Sequence, residues 1–188
     1  MTALSLYVPL EEGNLQLEPL REAHRDPLRA ACAEDSEIWE IYPFCYVGEY
    51  FDPQFGSLLA SPPGRCVYAV VLEGKVVGMT AWIAFGDPGW SIEIGNSFIL
   101  PSLRSTGFNG RLKRLMIDHV FACGYERVVF KVDVINTRSR AAVRKLGAVE
   151  EGVMRRERKT WTGRVRDTVI YGLLRGDWQA RSDQAASA

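Results

Sequence analysis

The stretch Arg104-Ser105-Thr106-Gly107-Phe108-Asn109-Gly110 constrains the fold more than any other, because an extended run, Ile92 to Leu100, enters it and a helical pattern leaves it. Beyond the glycines, Leu112, Leu115, Met116, Val120 and Cys123 recur at helical spacing, with Arg111, Lys113, Arg114 and Asp118 on other faces and Gly124 as a stop. A strand that turns directly into a helix offers the helix's unpaired N–H groups, and the positive end of its dipole, to whatever lies beyond the strand. An anion suits that position, and the glycines let a phosphate approach the main chain. The loop therefore proposes a phosphate-bearing cofactor, against the blander reading of a turn that starts a helix. It lacks the Lys-Ser or Lys-Thr of a phosphate-binding lysine loop and the Gly-x-Gly-x-x-Gly of a dinucleotide fold.

The flanking pattern supplies more strands and helices. Leu15, Leu17 and Leu20 suggest a first strand, and Arg21 to Ala33 reads as a helix. Between Ile38 and Phe55 comes an aromatic-rich connection with Trp39, Tyr42, Phe44, Tyr46, Tyr50 and Phe51, before a short helix that ends near Pro62-Pro63. Val67 to Leu72 and Val76 to Phe85 flank the turn Glu73-Gly74-Lys75, and Gly86-Asp87-Pro88-Gly89 precedes the strand at Ile92. Val128, Phe130, Val132 and Val134 alternate along a further strand, and Asn136 caps a helix whose Ala142, Val143 and Leu146 face inward. Two last strands, Val149 to Arg158 and Asp167 to Leu174, enclose the turn at Thr162-Gly163. The whole reads as an α/β (α+β) chain: one mixed, mostly antiparallel sheet of about seven strands flanked by helices.

The 188 residues contain no obvious linker or repeat, so residues 1–178 read as one domain and 179–188 as a loose, small and polar tail. Lysine plus arginine equal aspartate plus glutamate at 23 each, which argues against nucleic acid or an anionic membrane as partner and makes any charged recognition local. Cys32, Cys45, Cys66 and Cys123 are scattered and the two histidines, His24 and His119, lack partner signals, so no metal site is expected. With no leader-like opening and no apolar run of membrane-spanning length, the chain reads as cytoplasmic.

The order of elements from Gly13 to Trp178 resembles the GNAT acetyltransferases, and within them the ribosomal-protein N-terminal acetyltransferase-like branch. The resemblance rests on Glu93-Ile94-Gly95, the Arg104 to Asn109 loop, Asn136 to Ala142, Lys145-Leu146-Gly147-Ala148, Glu151 to Arg155 and Arg166 to Tyr171. The loop matches the family's Arg/Gln-x-x-Gly-x-Gly/Ala except that Asn109 fills the last small-residue position. The resemblance implies a sheet splayed between its fourth and fifth strands, Ile92 to Leu100 and Val128 to Val134, with acetyl-CoA in the opening. Main-chain groups of Phe98, Ile99 and Leu100 would hold the pantetheine arm, and amides of Arg104, Ser105, Thr106, Gly107, Phe108, Asn109 and Gly110 the pyrophosphate, without a metal. It implies an N-acetyltransferase acting on a primary amine, either a protein N-terminus or a small molecule, and it allows a homodimer. The alternative is an acyl-CoA-binding or nucleic-acid-associated module with little catalysis.

Acetyl transfer to an amine needs a neutral nucleophile, a polarised thioester and a proton for the departing thiolate, and direct attack suffices when both substrates are held together. Ser139 is the first candidate to protonate the leaving sulfur; the alternatives are an exposed helix serine and protonation by solvent. Val143 stands where many relatives carry a tyrosine acid. Asn136 can cap its helix or bind the pantetheine chain, and Arg138, Arg140 and Arg144 are read as solvated. Glu93 is the leading general base and Asp133 the runner-up, each weighed against a role as structural acceptor. The aromatic connection is core first and an acceptor wall second, and the basic residues Arg155, Arg156, Arg158, Lys159, Arg164 and Arg166 read as a solvated hairpin.

Overall fold

A computed structural model describes residues 5–60 and 64–186. Eight strands among them form one sheet: β1 (Leu10–Glu12), β2 (Leu15–Pro19), β3 (Arg65–Leu72), β4 (Lys75–Ala84), β5 (Ser91–Ile99), β6 (Arg127–Asp133), β7 (Val149–Lys159) and β8 (Val165–Leu174), in the order β1-β2-β3-β4-β5-β6-β8-β7. Neighbours are antiparallel except β5 and β6. The eighth strand is β1, three residues long and too short to leave a periodic signal; it pairs with β2. The turn between β3 and β4 places Glu73 and Gly74 at φ 52° and 76°, the two successive positive values that a tight hairpin between right-twisted strands requires.

Among the described residues five α-helices flank the sheet: α1 (Arg25–Ala33), α2 (Phe51–Leu59), α3 (Phe108–Ala122), α4 (Thr137–Lys145) and α5 (Arg175–Ala186). The segment read from sequence as a loose tail continues α5 as far as Ala186, and Trp178, just ahead of that segment, is buried. Pro62-Pro63, expected near the end of α2, lie outside the described residues. One face of the sheet buries Phe108, Leu112, Met116, Ile117 and Val120 of α3 and Val143 of α4 against Trp82, Ile92, Ile94, Val128, Phe130 and Val132. The other packs α1, α2 and the aromatic connection, with Leu28, Trp39, Tyr46 and Phe55, against Val67, Met79, Ala81 and Phe98. No described helix is long and apolar enough to cross a membrane.

Ile94 and Phe98, four residues apart on one strand, belong to opposite faces. Strict alternation would put them on the same one. A bulge intervenes: β4 pairs Met79 with Phe98 and Ala81 with Gly95, so Thr80 alone faces Asn96 and Ser97, and Asn96 takes φ 49°. The extra residue bends β5 where the sheet opens.

Candidate active site

β5 and β6 pair only at Ser91–Arg127, Ile92–Val128 and Glu93–Val129. Past Glu93, β5 follows β4 and β6 follows β8, leaving a wedge between two strands that have each lost a neighbour. The main-chain groups on its β5 bank follow from alternation. Leu100 N–H donates to Val77 O at 2.9 Å, and a Cβ on Gly78 of β4 would stand 2.0 Å from Phe98 O, so Leu100 and Phe98 face β4. Ser97 and Ile99 therefore face the wedge. Their carbonyls are met there by side chains: Tyr42 Oη donates to Ser97 O at 2.6 Å and Arg104 Nη2 to Ile99 O at 3.3 Å. Of Phe98, Ile99 and Leu100, expected from the resemblance to line the opening, only Ile99 presents its main chain to it. Ser97 joins it, an exchange caused by the bulge.

The loop after β5 is held at both ends. Arg104 pairs with Asp35, which follows α1, and Thr106 Oγ1 donates to Leu103 O at 2.8 Å. Burial raises the Asp35 carboxyl, but the hydrogen bonds from Arg104 and from Ile38 N–H outweigh it and hold the group below its usual value, with Arg138 of α4 adding its field. Both banks of the wedge, the loop and the first turn of α4, thus act on one carboxylate. Gly107 precedes α3 at φ 90°, a conformation open to glycine and strained for other residues. Thr106 Oγ1 accepts from Phe108 N–H at 3.3 Å, while the N–H groups of Ser105, Thr106, Gly107, Asn109 and Gly110 have no acceptor among the described residues. These five donors stand at the positive end of a fifteen-residue helix, where an anion is favoured over a cation.

Asn136 Oδ1 accepts from Ser139 N–H at 3.0 Å, so the amide caps α4. Ser139 is half-buried on that first turn, and its hydroxyl has no partner among the described residues. Arg140 and Arg144, read from sequence as solvated, converge on Glu150, at 3.5 and 2.6 Å. Their charges are spent there.

Glu93 lies at the apex of the wedge, on the face opposite α3. Its carboxylate folds over the main chain toward the opening, since a Cβ on Gly95 would meet Glu93 Oε1 at 2.8 Å. Burial raises its pKa above the ordinary carboxylate value, and Lys131, Arg158, Arg166 and Arg65 draw it partly back. Lys131 Nζ is 3.7 Å away. Asp133, also buried, is engaged instead by Arg164 at 2.5 Å and Ile135 N–H at 3.2 Å, with Arg166 at 3.8 Å. Those contacts are what a structural acceptor makes. The hairpin joining β7 and β8 is solvated only in part: Arg155, Arg156 and Lys159 are exposed, but Arg166 is buried, and Trp161 reaches across to the aromatic connection, donating from its indole to Trp39 O at 2.7 Å and from its main chain to Pro43 O at 3.1 Å. Tyr42 and Tyr46 line the same side, the latter donating to Asn96 Oδ1 at 3.1 Å. Burial pushes the Tyr42 phenol up to about 12, keeping it a donor.

The site is thus a sheet opened between two parallel strands, with helix amides that find no acceptor among the described residues at one end and a buried carboxylate at the apex. Residues 35–148 match the family model described as acetyltransferase (GNAT) family. That match spans more than half of the sequence, and the chain belongs to the GNAT acetyltransferase family, whose acyl donor is acetyl-CoA. Among solved structures, a protein of T. thermophilus assigned by inference as an acetyltransferase is 30% identical, with TM-score 0.84 over 100% of this chain and 98% of that one. RimJ of Mycobacterium smegmatis, solved with CoA-disulfide, is 20% identical, with TM-score 0.74 over 90% and 87%. The ribosomal-protein-S5-alanine acetyltransferase of Vibrio fischeri is 16% identical, with TM-score 0.73 over 91% and 98%; at these identities the last two share the fold. Among curated proteins, none matches the chain.

Proposed function

We propose that the protein is an N-acetyltransferase that moves the acetyl group of acetyl-CoA to a primary amine by direct attack, with both substrates held in the wedge. The observation that carries this reading is the placement of Glu93 at the apex, raised in pKa by burial and facing the side walled by Tyr42, Tyr46 and the Trp161 hairpin. An amine entering from that side meets a carboxylate that can take its proton, and the opposite side is closed by α3 and α4. The amides of Ser105, Thr106, Gly107, Asn109 and Gly110 would hold the donor's diphosphate, and the wedge-facing main chain of Ser97 and Ile99 its pantetheine arm. Arg104 acts by tying the loop to Asp35 and Ile99 O. Ser139, whose hydroxyl has no partner among the described residues, would give a hydrogen bond or proton to the departing sulfur, while Asn136 keeps that turn in place. Asp133 positions Arg164 and Arg166. Acetyl-CoA supplies the activated acyl group, and these residues supply alignment and proton transfer.

Free-thiol release from acetyl-CoA over a panel of amines and short peptides tests the proposal. Amine-dependent release, with the acetyl group found on the amine, is the expected result. Tight binding of acetyl-CoA with no release on any acceptor would leave a binding module and overturn it.

A further inference from the structure

Arg65, Ile83 and Glu93 stand directly opposite one another across β3, β4 and β5, and Val129 of β6 completes the row, so their side chains leave the same face of the sheet. Lys131, two residues beyond Val129, shares that face and lies 3.7 Å from Glu93. Arg164 and Arg166 enter it through Asp133, and Arg158 through Glu157, whose carboxylate also accepts from Thr168 Oγ1. Five cations thus meet three carboxylates, Glu93, Asp133 and Glu157. Asp133 and Glu157 are each taken up by arginine, and Lys131 leans on Glu93. Arg65, half-buried, has no ion-pair partner among the described residues.

On the reading of this face as the acceptor side, we propose that the acceptor is an amine that also carries a carboxylate, and that Arg65 is the residue that selects it. A surplus of two positive charges beside the amine does two things. It attracts an anionic group on the same molecule, for which an unpaired guanidinium is a bidentate partner, and it disfavours an ammonium relative to the free amine that must attack. The same field repels polycationic amines. A free amino acid and a peptide with an acidic first residue both carry the required chemistry.

The test measures kcat and KM for glutamate, a peptide beginning with glutamate, benzylamine and spermidine, on the wild-type chain and on Arg65→Gln, Arg65→Lys and Arg65→Glu. The expected order places glutamate or the glutamyl peptide above benzylamine and spermidine by about tenfold or more in kcat/KM, and which of the two leads identifies the source of the carboxylate. Arg65→Gln is expected to raise KM for the preferred carboxylated acceptor, relative to benzylamine, by about tenfold. Arg65→Lys should recover part of that ratio, and Arg65→Glu should move preference toward spermidine, a reversal that a purely structural role would not produce. Preference of the wild type for spermidine or benzylamine, or a ratio unmoved in all three variants, would overturn the inference while leaving acetyl transfer intact. Absence of thiol release with every amine would sink the acceptor reading itself, and this inference with it.

Discussion

Lys113→Met is expected to stabilise the protein at neutral pH and to remove a rise of stability with pH that the wild type shows. Lys113 is on the second turn of α3 with 6% of its surface exposed, and its amine meets no carboxylate: it donates to Thr80 Oγ1 at 3.2 Å and to Ser97 Oγ at 2.5 Å. Burial pushes its pKa from the ordinary 10.5 down to about 7. The unfolded chain keeps the ordinary value, so between these two limits it binds more protons than the native state and stability climbs with pH. Below about 7 both states are charged and the full penalty applies. At ~1.4 kcal/mol per pH unit, the penalty is about 4 kcal/mol at pH 7 and about 2 kcal/mol at pH 9. Methionine, of similar length, removes it. The substitution also deletes two hydrogen bonds worth about 1 kcal/mol each. Neither hydroxyl is stranded, because Thr80 and Ser97 still meet at 2.8 Å and Ser97 Oγ reaches Gly95 O at 3.1 Å. The net expectation is a gain of about 2 kcal/mol at pH 7 that vanishes near pH 9. Urea unfolding of both proteins from pH 6 to pH 9 reads it directly. Parallel pH profiles, or a variant less stable than wild type at pH 7, would refute the reasoning and show that water reaches the amine.

Glu93→Gln should lower kcat by about 100-fold or more and abolish the acidic limb of the pH–rate profile, since a base whose pKa burial has raised becomes competent only as pH climbs through that value. A raised carboxylate pKa means that ionisation costs the native state, so stability contributed by the protonated group is lost as pH rises through the folded value, and the melting temperature of the glutamine variant should equal or exceed the wild type's; kcat within a few-fold of wild type would remove Glu93 from the chemistry. Gly107→Asp should weaken acetyl-CoA binding, measured by calorimetry, by about tenfold more than Gly107→Asn. Both variants bear the strain of φ 90°, so the difference reports the charge alone, and equal affinities would count against the loop as the phosphate site. Ser139→Ala should reduce kcat with little change in KM for acetyl-CoA, because the bond from Ser139 N–H to Asn136 survives the substitution; unchanged turnover would make solvent the proton source.

The loop at Arg104 to Gly110 was legible because every cue lies within a few residues: an apolar run, glycines where the chain must turn, then helical periodicity. The same locality explains Asn136 as a cap and Glu73-Gly74 as a turn. Lys113 and the basic hairpin defeat that kind of reading. A lysine two residues from Arg111 on a helix reads as solvated, and Arg158, Arg164 and Arg166 read as a solvated cluster. The partners that decide the outcome are far away in sequence: Thr80 and Ser97 for the lysine, Asp133 for Arg164 and Arg166. Partners on other strands become neighbours only once the register is set, and register is not a local property.

The bulge at Asn96 is the deeper case, because it leaves no mark in the run from Ile92 to Leu100 and yet sets the site. Without the extra residue, Phe98 would share the face of Ile94 and abandon Trp39, whose ring it meets at 4.9 Å between centroids. Ser97 would lose its place opposite Lys113, and the alternation that turns Ser97 and Ile99 into the wedge would be reversed. Tyr42 and Arg104 would then have no carbonyls to hold on that bank. A strand cannot both keep an unbroken pattern of side chains and change which edge its main chain offers. The residue that spoils the pattern is the one that points the main chain into the wedge.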